Sequence, residues 1–280
     1  MNSRLIKYII LEIIAIIIAI FWLIPLYSML INGFKTNFEA TATPVLLPPK
    51  VFTISSYITV WGEMKRPLIN SIIIAIPVAF ISTIFGEMAA YFFYVVSERM
   101  PAVSNTGFSI ISLATFIPYQ ATLLPLIELE ASWGLFNSYQ GLIFALLIFY
   151  MPTAALLMSI FIPVIPKYLI EAARIDKASD WTVFWKVVFP LTIPGFLATM
   201  IFVFIESWNN FFMPLVLTSS PSLRLIPVAE RAFTGGYGTL YNDSYAAAVI
   251  ASIVPLVVFI ILGRYFIRGL AALGGGAKGV

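Results

Sequence analysis

The sequence contains no cysteine and no histidine. These two absences exclude disulfides, Cys/His zinc sites, a catalytic cysteine and a histidine general base in this chain. Charge is scarce as well, because Asp, Glu, Lys and Arg make up 10% of the 280 residues, against about 25% in an average soluble domain. The net charge of +3 is small, and no basic cluster indicates nucleic-acid binding. We therefore expect no catalytic residue and no metal site.

Long apolar runs are what the sequence has in abundance. Hydrophobic residues account for 61% of the chain, and the mean hydropathy is +0.99. A membrane-spanning helix needs roughly 20 consecutive, mostly apolar residues. Six stretches meet this requirement and predict an all-α polytopic membrane protein in contact with lipid, one transmembrane domain over residues 1–280: about 9–31, 69–96, 107–127, 139–163, 194–217 and 245–267.

The N-terminal run and the loop charges predict the orientation. The first apolar run, from Tyr8 to Leu30, is longer than a signal-peptide core of about 7–15 residues, so we expect an uncleaved first span. With both termini in the cytoplasm, ten of the 16 Lys and Arg residues fall on the cytoplasmic side and six on the outside. This distribution agrees with the positive-inside rule.

One internal loop, residues 164–193, concentrates the charges of the chain. It separates two apolar runs and carries Glu171, Arg174, Asp176, Lys177, Asp180 and Lys186. Pro166 suits the first turn of a helix, and Lys167 to Ala178 is predicted to follow as that helix. Ser179 is a suitable N-cap for a second helix. A membrane protein that gathers charge in one loop presents that loop to water. The alternative is a purely structural role, as an ordinary pair of interfacial helices.

The stretch Glu171-Ala172-Ala173, followed by Asp176 and then Phe189-Pro190-Leu191, resembles the EAA loop of ABC importer permeases. Other short motifs resemble the carbohydrate-uptake branch of that family, and specifically its maltose-type second permease subunit, in the same order and spacing: Asn70-Ser71, Ala89-Ala90-Tyr91, Ile117-Pro118, Leu124-Pro125-Leu126, Gly134 to Ser138, Trp208 to Phe211, Tyr265 to Leu270 and Gly276 to Gly279. The resemblance covers most of the chain and implies the type I importer permease fold with six transmembrane helices.

The resemblance also implies the partners. A dimer of ATP-binding subunits would bind ATP and Mg²⁺, a second permease would complete the pathway, and an extracytoplasmic solute-binding protein would deliver a sugar. The coupling residues implied by the EAA loop are Glu171, Ala172, Ala173, Arg174, Asp176 and Lys177. Lys177 departs from the family pattern, which has glycine there. Because a Lys adopts a left-handed turn at a cost, we expect the turn to shift to Ser179 or the helix to continue by one residue.

Polar residues in the fifth span are candidates for the substrate pathway, because polar groups inside a bilayer are costly. Glu206, Asn209 and Asn210 share one helix face by their spacing, and Trp208 and Phe211 flank them. Carboxylates and amides bind sugar hydroxyls, and aromatic rings stack on sugars. The alternative is that these groups hold neighbouring helices together. For Glu87, in the second span, we expect an interhelical hydrogen bond.

Two glycine-rich stretches need separate interpretation. Gly235, Gly236, Tyr237 and Gly238 lie in the last external loop, where the resemblance implies contact with the binding protein. The C-terminal Gly276-Ala277-Lys278-Gly279 lacks the G-x-x-x-x-G-K-[ST] spacing of a phosphate-binding loop, so we expect no nucleotide site and no cofactor in this chain.

Two other classes of protein remain as alternatives. A self-sufficient secondary transporter or channel typically shows internal repeats and a midplane ion site, and the sequence has no repeat. A polytopic membrane enzyme needs a catalytic constellation, for which Cys and His are missing. The residues do not distinguish monosaccharide from oligosaccharide or polyol phosphate, nor a heterodimer from a homodimer.

Overall fold

The structure is a computed structural model that describes residues 3–235 and 240–276. Those residues form helices and connecting loops, and no β-strand occurs among them. In chain order the α-helices are α1 Ser3–Gly33, α2 Asn37–Ala42, α3 Ser55–Arg99, α4 Pro101–Ala114, α5 Leu123–Ser132, α6 Tyr139–Phe161, α7 Lys167–Ile175, α8 Asp180–Val183, α9 Phe189–Trp208, α10 Phe212–Leu217, α11 Ile226–Arg231 and α12 Tyr241–Gly276. A 3₁₀ turn, Tyr119–Thr122, precedes α5, and a π-helical turn, Phe184–Val188, joins α8 to α9.

Five helical stretches within the described residues are long and apolar enough to cross a membrane. They are Ile6–Gly33, Ser55–Arg99, Tyr139–Val164, Asp180–Trp208 and Tyr241–Tyr265. The stretch predicted as the third span, 107–127, forms two helical pieces, Pro101–Ala114 and Tyr119–Ser132, which are bent by 87° and make a sixth span if they are counted together. Pro118 lies at this break, and a proline removes a backbone donor and disfavours helix in the residue before it.

Two helices begin well before the predicted spans. α3 begins at Ser55 rather than near 69, and α9 is reached through continuous helical turns that begin at Asp180 rather than near 194. The added turns carry polar residues such as Glu63, Lys65 and Lys186. An apolar run ends where the chain leaves the hydrocarbon, whereas backbone hydrogen bonding continues into the aqueous layer, so hydropathy underestimates these helices.

The chain divides into two compact units, and the first comprises Met1–Arg66 and Ala229–Ile253. Within it, Asn242 Nδ2 donates to Ser56 Oγ at 2.7 Å, and the Tyr241 backbone N–H donates to Asn37 Oδ1 at 3.1 Å. Lys35 is completely buried and donates to Thr43 Oγ1 at 3.1 Å. Because a buried ammonium without partners is unfavourable, this contact fixes the loop after α2.

The second unit comprises Pro67–Val228 and Val254–Val280. Its α6 and α9 pack against each other, and α3 crosses α6 at Gly86. A Cβ at Gly86 would lie 2.6 Å from the backbone nitrogen of Ala155, so only glycine allows the two helices to approach this closely. Beside this crossing, an apolar core cluster joins α3, α6 and α9 with α7, α8 and the π-helical turn. The charged loop is thus packed directly onto membrane helices.

Candidate functional site: a charged loop packed on membrane helices

The outward face of α7 is exposed and mixes polar and apolar groups. Glu171 and Ala172 are exposed, as are Tyr168 at 66% and Ile175 at 80%. These positions recur at three- and four-residue spacing, which places them on one side of a helix. The EAA motif indicated Glu171 and Ala172. It gave no indication of Tyr168 or Ile175, although their seven-residue spacing was visible in the sequence.

The inward face of α7 belongs to the apolar core. Ile170 is buried at 4% exposure and lies in the same cluster as Val183 and Phe184, against which Ala173 also packs. Arg174 is half-buried. The two alanines of the motif therefore differ in environment, since Ala172 faces water while Ala173 packs against the membrane-helix core.

Lys177 adopts the left-handed turn that its side chain was expected to avoid. The helix ends at Ile175, and Lys177 has φ of 57°. Both expected alternatives, a turn shifted to Ser179 and a helix one residue longer, are wrong. Ser179 has extended backbone angles and caps α8 as predicted, with its side chain accepting from the Thr182 N–H. Because this cap fixes where α8 begins, the reversal of chain direction has to occur before Ser179, at Lys177.

The connection from α8 to α9 contains a π-helical turn, Phe184–Val188, which ends two residues before Pro190. A proline has no N–H to donate, and π-helical turns are one of the ways in which a helix accommodates that loss. The helix therefore continues through Pro190 and Pro194, and Phe184 and Val188 are buried in the core. This continuous path joins the charged loop to the fifth span without a flexible link.

Ion pairs connect α7 to its neighbours. Lys167 Nζ lies 3.1 Å from Glu98 Oε1 at the end of α3, and Arg174 Nη2 lies 3.3 Å from Asp180 Oδ1 in α8. The hydrogen bond that Lys167 donates to Glu98 is the main cause that raises the pKa of Lys167 above its ordinary value of 10.5. Lys167 is therefore protonated throughout the physiological range.

The candidate pathway residues at the end of α9 fall into two groups. Glu206 and Asn209 are exposed, and Phe211 is half-buried. Trp208 is buried at 3% exposure and stacks on Phe204 with ring centroids 5.7 Å apart. Asn210 is also buried, and its Oδ1 accepts from the Met213 N–H at 3.1 Å. The structure thus leaves Glu206 and Asn209 accessible, while Trp208 and Asn210 hold the end of the helix.

A tyrosine of α6 joins this group, although no sequence pattern indicated it. Tyr150 Oη donates to the Glu206 carbonyl at 3.0 Å and accepts from Asn210 Nδ2 at 3.2 Å. The ring of Tyr119, in the break of the third span, lies 6.0 Å from that of Phe149. Interrupted helices at membrane depth occur where they line a cavity or are buried in protein. The α-helices are interrupted at 115–122 and at 209–211, and the second interruption begins three residues after Glu206.

The interhelical hydrogen bond predicted for Glu87 is present. Glu87 is completely buried, and Thr192 Oγ1 of α9 donates to its Oε1. Thr192 also contacts the Val188 carbonyl at 3.0 Å. A polar group in hydrocarbon is stabilised by such a partner, so Glu87 joins α3 to α9 close to the Gly86 crossing.

A second polar segment of the same unit, residues 217–226, is held by amide and hydroxyl side chains; we call it the anchored segment. Asn137 Oδ1 accepts from the N–H groups of Ser219 and Ser220, both at 3.0 Å. Asn70 Nδ2 donates to the carbonyls of Ser222 and Arg224, both at 2.9 Å. Asn70-Ser71 and Asn137 had been used only as family motifs, and the structure gives them the physical role of fixing this backbone.

Gly235 is the part of the proposed binding-protein loop that the structure describes. A Cβ there would lie 2.3 Å from Arg231 Nη1, so the Arg231 side chain occupies the space beside this glycine. Gly236, Tyr237 and Gly238 lie outside the described residues, and their predicted role stays a prediction.

Comparisons with known proteins agree with this architecture. The family described as binding-protein-dependent transport system inner membrane component matches residues 89–272. The glucose import system permease protein GlcU of Saccharolobus solfataricus is 58% identical over 268 residues, which cover 94% of this chain and 93% of that protein. The arabinooligosaccharides transport system permease protein AraQ of Halalkalibacterium halodurans is 30% identical, with 94% and 93% covered.

A solved structure shares the fold. A bacterial ABC transporter that imports the acidic polysaccharide alginate contains a chain that superposes with a TM-score of 0.71 at 20% identity, covering 95% of this chain and 98% of that chain. The chain described here belongs to the family of binding-protein-dependent transport system inner membrane components. It is a multi-pass permease component of an ABC importer with the all-α fold that was predicted, and in this family ATP hydrolysis belongs to a separate subunit.

Proposed function

We propose that this permease imports a sugar and that α7 is the element that docks onto the ATPase subunits. The observation that carries the proposal is the division of α7 into two faces. Tyr168, Glu171, Ala172 and Ile175 are exposed, while Ile170 is buried in the core. An aromatic and an aliphatic side chain beside a small residue and a carboxylate form a surface that a partner can cover.

The mechanism is the transmission of movement from the ATPase subunits to the membrane helices. The partner subunits bind ATP and Mg²⁺, and this chain contributes the docking face. Because α7, α8 and the π-helical turn share one core cluster with α3, α6 and α9, a displacement of α7 displaces those helices. Packed interfaces switch between discrete arrangements rather than deform continuously, which suits alternating inward- and outward-facing states.

A sugar is the substrate class best supported by the relatives and by the chemistry of the pathway. The names of two relatives specify glucose and arabinooligosaccharides. Glu206 and Asn209 are accessible hydrogen-bonding groups, with Tyr150 and Phe211 beside them. Binding sites typically combine a few polar groups with aromatic walls. In this proposal Glu206 and Asn209 bind hydroxyls, while Trp208 and Asn210 keep the helix end in place.

The proposed setting is the cytoplasmic membrane, with both termini in the cytoplasm, a second permease subunit and an extracytoplasmic binding protein. The distribution of Lys and Arg supports this orientation. The family description names a binding protein, and the solved alginate transporter was crystallised in complex with a periplasmic protein. The loop from Gly235 to Gly238 is proposed to contact that protein.

The test uses the complex purified in mild detergent and reconstituted in liposomes with its binding protein. We would compare labelled glucose uptake and ATP hydrolysis for the unmodified chain, Glu171→Lys and the matched control Lys186→Glu. Lys186 is also exposed but lies outside α7. Glu171→Lys should assemble and insert normally, yet lose uptake per ATP hydrolysed, whereas the control should not.

Two results would contradict the proposal. Unchanged uptake per ATP in Glu171→Lys would remove the docking role of α7. Purification of this chain without any ATP-binding subunit, under conditions that preserve other membrane complexes, would favour a self-sufficient transporter.

Competition by unlabelled pentoses, oligosaccharides and glycerol phosphate would define the substrate.

A further inference from the structure

We infer that the last two turns of α3 form a seat that fixes the orientation of α7, and that Glu98 is a positioning residue for coupling. This inference rests on the docking role of α7 proposed above. It assigns a function to residues that lie outside the charged loop, among them Tyr94 and Glu98, which no sequence motif indicated.

The seat is a stripe along one side of α3. Tyr91, Tyr94 and Glu98 are three and four residues apart, which places them on the same helix face. The Tyr91 ring lies 5.8 Å from the Phe184 ring of the π-helical turn. The Lys167 ammonium lies 5.8 Å from the centre of the Tyr94 ring. The charged loop therefore contacts α3 through aromatic rings as well as through ion pairs.

Glu98 joins the two ends of α7. Its Oε1 lies 3.1 Å from Lys167 Nζ at the first residue of the helix, and its Oε2 lies 3.9 Å from Arg174 Nη1 in the last turn. Lys167 and Arg174 are seven residues apart, so they project from the same side of α7. A contact at each end restricts the tilt and rotation of a helix, whereas a single contact would fix only its position.

Arg174 extends this network to the next helix. Its guanidinium is also 3.3 Å from Asp180, and its side chain is only 24% exposed. Planar guanidinium groups are well suited to bridging two carboxylates. The network thus runs from α3 through α7 to α8 and links the orientations of the three helices.

The network orients α7 rather than folds it. Exposed ion pairs contribute little to folding stability, and Ile170, Val183 and Phe184 already supply an apolar core beneath the loop. Removing Glu98 should therefore leave the protein folded. It should free α7 to rotate when the ATPase moves, so that the movement no longer reaches α3.

The first experiment compares Glu98→Gln with the matched control Glu63→Gln in the reconstituted complex. Glu63 is an exposed carboxylate on the same helix. We expect Glu98→Gln to retain complex assembly and ATP hydrolysis while the amount of glucose transported per ATP falls several-fold. The control should match the unmodified chain.

A second experiment separates orientation from folding and exploits the absence of cysteine in this chain. Glu98→Cys and Lys167→Cys are combined and joined by a short, cleavable bifunctional methanethiosulfonate reagent. We expect low transport per ATP before cross-linking, recovery after it, and loss again when reductant cleaves the link. Each single cysteine variant, treated identically, should show no recovery.

Each outcome decides the inference. An unchanged transport ratio in Glu98→Gln, or loss of transport on cross-linking, would overturn the rigid seat, the latter because it would mean that α7 has to move relative to α3. If Glu171→Lys uncouples transport and Glu98→Gln does not, docking stands and the positioning role fails. If neither variant uncouples transport, the proposed function fails as well.

Discussion

Two polar segments of the same unit, the charged loop and the anchored segment, use polarity in opposite ways. In the charged loop the backbone is satisfied within α7 and α8, and charged side chains such as Glu171 and Lys177 face outwards. In the anchored segment the backbone is irregular, and the amides of the buried Asn70 and the half-buried Asn137 hold its carbonyl and N–H groups. The exposed charges of Glu171 and Lys177 are directed at water, whereas the amides of the anchored segment are directed at the chain itself.

This difference separates polar residues that are accessible to other molecules from polar residues that hold the backbone of this chain in place. Buried backbone groups need hydrogen-bond partners, and an amide supplies both a donor and an acceptor without carrying a net charge. A charged group in the same place would suffer a large desolvation penalty. Amide residues near helix ends in a membrane protein are therefore best interpreted first as anchors.

The largest expected effect distinguishes the exposed face of α7 from the face that packs against the core. Ala172→Trp places bulk on the exposed face of α7 and should abolish transport per ATP without changing the thermal unfolding midpoint. Ala173→Trp places the same bulk against the core and should additionally destabilise the chain by about 1–3 kcal/mol. Similar unfolding midpoints for the two variants would contradict the assignment of the two faces.

The next effect concerns the anchored segment. Asn137→Ala removes a side chain whose Nδ2 donates to Ser220 Oγ at 2.8 Å and whose Oδ1 accepts two backbone N–H groups. It also places alanine at φ of 58°. We expect a loss of about 2–4 kcal/mol, measured by thermal unfolding in detergent. Asn209→Ala, at an exposed amide, is the control and should change stability little.

A smaller effect tests the strained turn that ends α7. Lys177→Gly should stabilise the chain by about 1 kcal/mol, because glycine adopts a left-handed backbone without steric cost. Lys186→Gly, in the π-helical turn, should destabilise it by a similar amount. A destabilised Lys177→Gly variant would show that the Lys177 side chain supplies a compensating contact.

The smallest effect concerns pH. Lys167 has a raised pKa, so its ammonium keeps its charge up to the ordinary value of 10.5 and loses it only as the pH rises through the higher pKa of the folded state. Transport per ATP should therefore be constant across the neutral range. A decrease within that range, measured in liposomes with buffered lumen, would point to a different titrating group.

The sequence predicted features that depend on composition and on local chemistry. Hydropathy located the spans of α1, α6 and α12, and the Ser179 cap followed from its position before Asp180 and Thr182. The EAA motif led to α7. The pairing of Glu87 was expected because a carboxylate in hydrocarbon requires a partner, although only the structure identified Thr192.

Other features depend on neighbours that are distant in the chain. Tyr150 meets Asn210 across 60 residues, and Glu98 meets Lys167 across 69, so no local pattern could reveal either pair. The break in the third span has a local cause, because Pro118 removes a backbone donor. Hydropathy does not show this break, since the residues around Pro118 are mostly apolar. Lys177 adopts a left-handed backbone because its flanking helices require one. Tertiary context often overrides the intrinsic preference of a residue in this way.

The length of α3 has a mechanical consequence. Its 45 residues give a contour of about 68 Å at 1.5 Å per residue, more than twice the ~30 Å of the hydrocarbon layer. The helix is therefore longer than is needed to cross the hydrocarbon layer. Pro67 and Pro77 lie inside it, and prolines are the usual positions at which a helix bends. Because α3 is one continuous helix longer than the hydrocarbon layer is thick, a force applied at either of its ends acts on the same backbone.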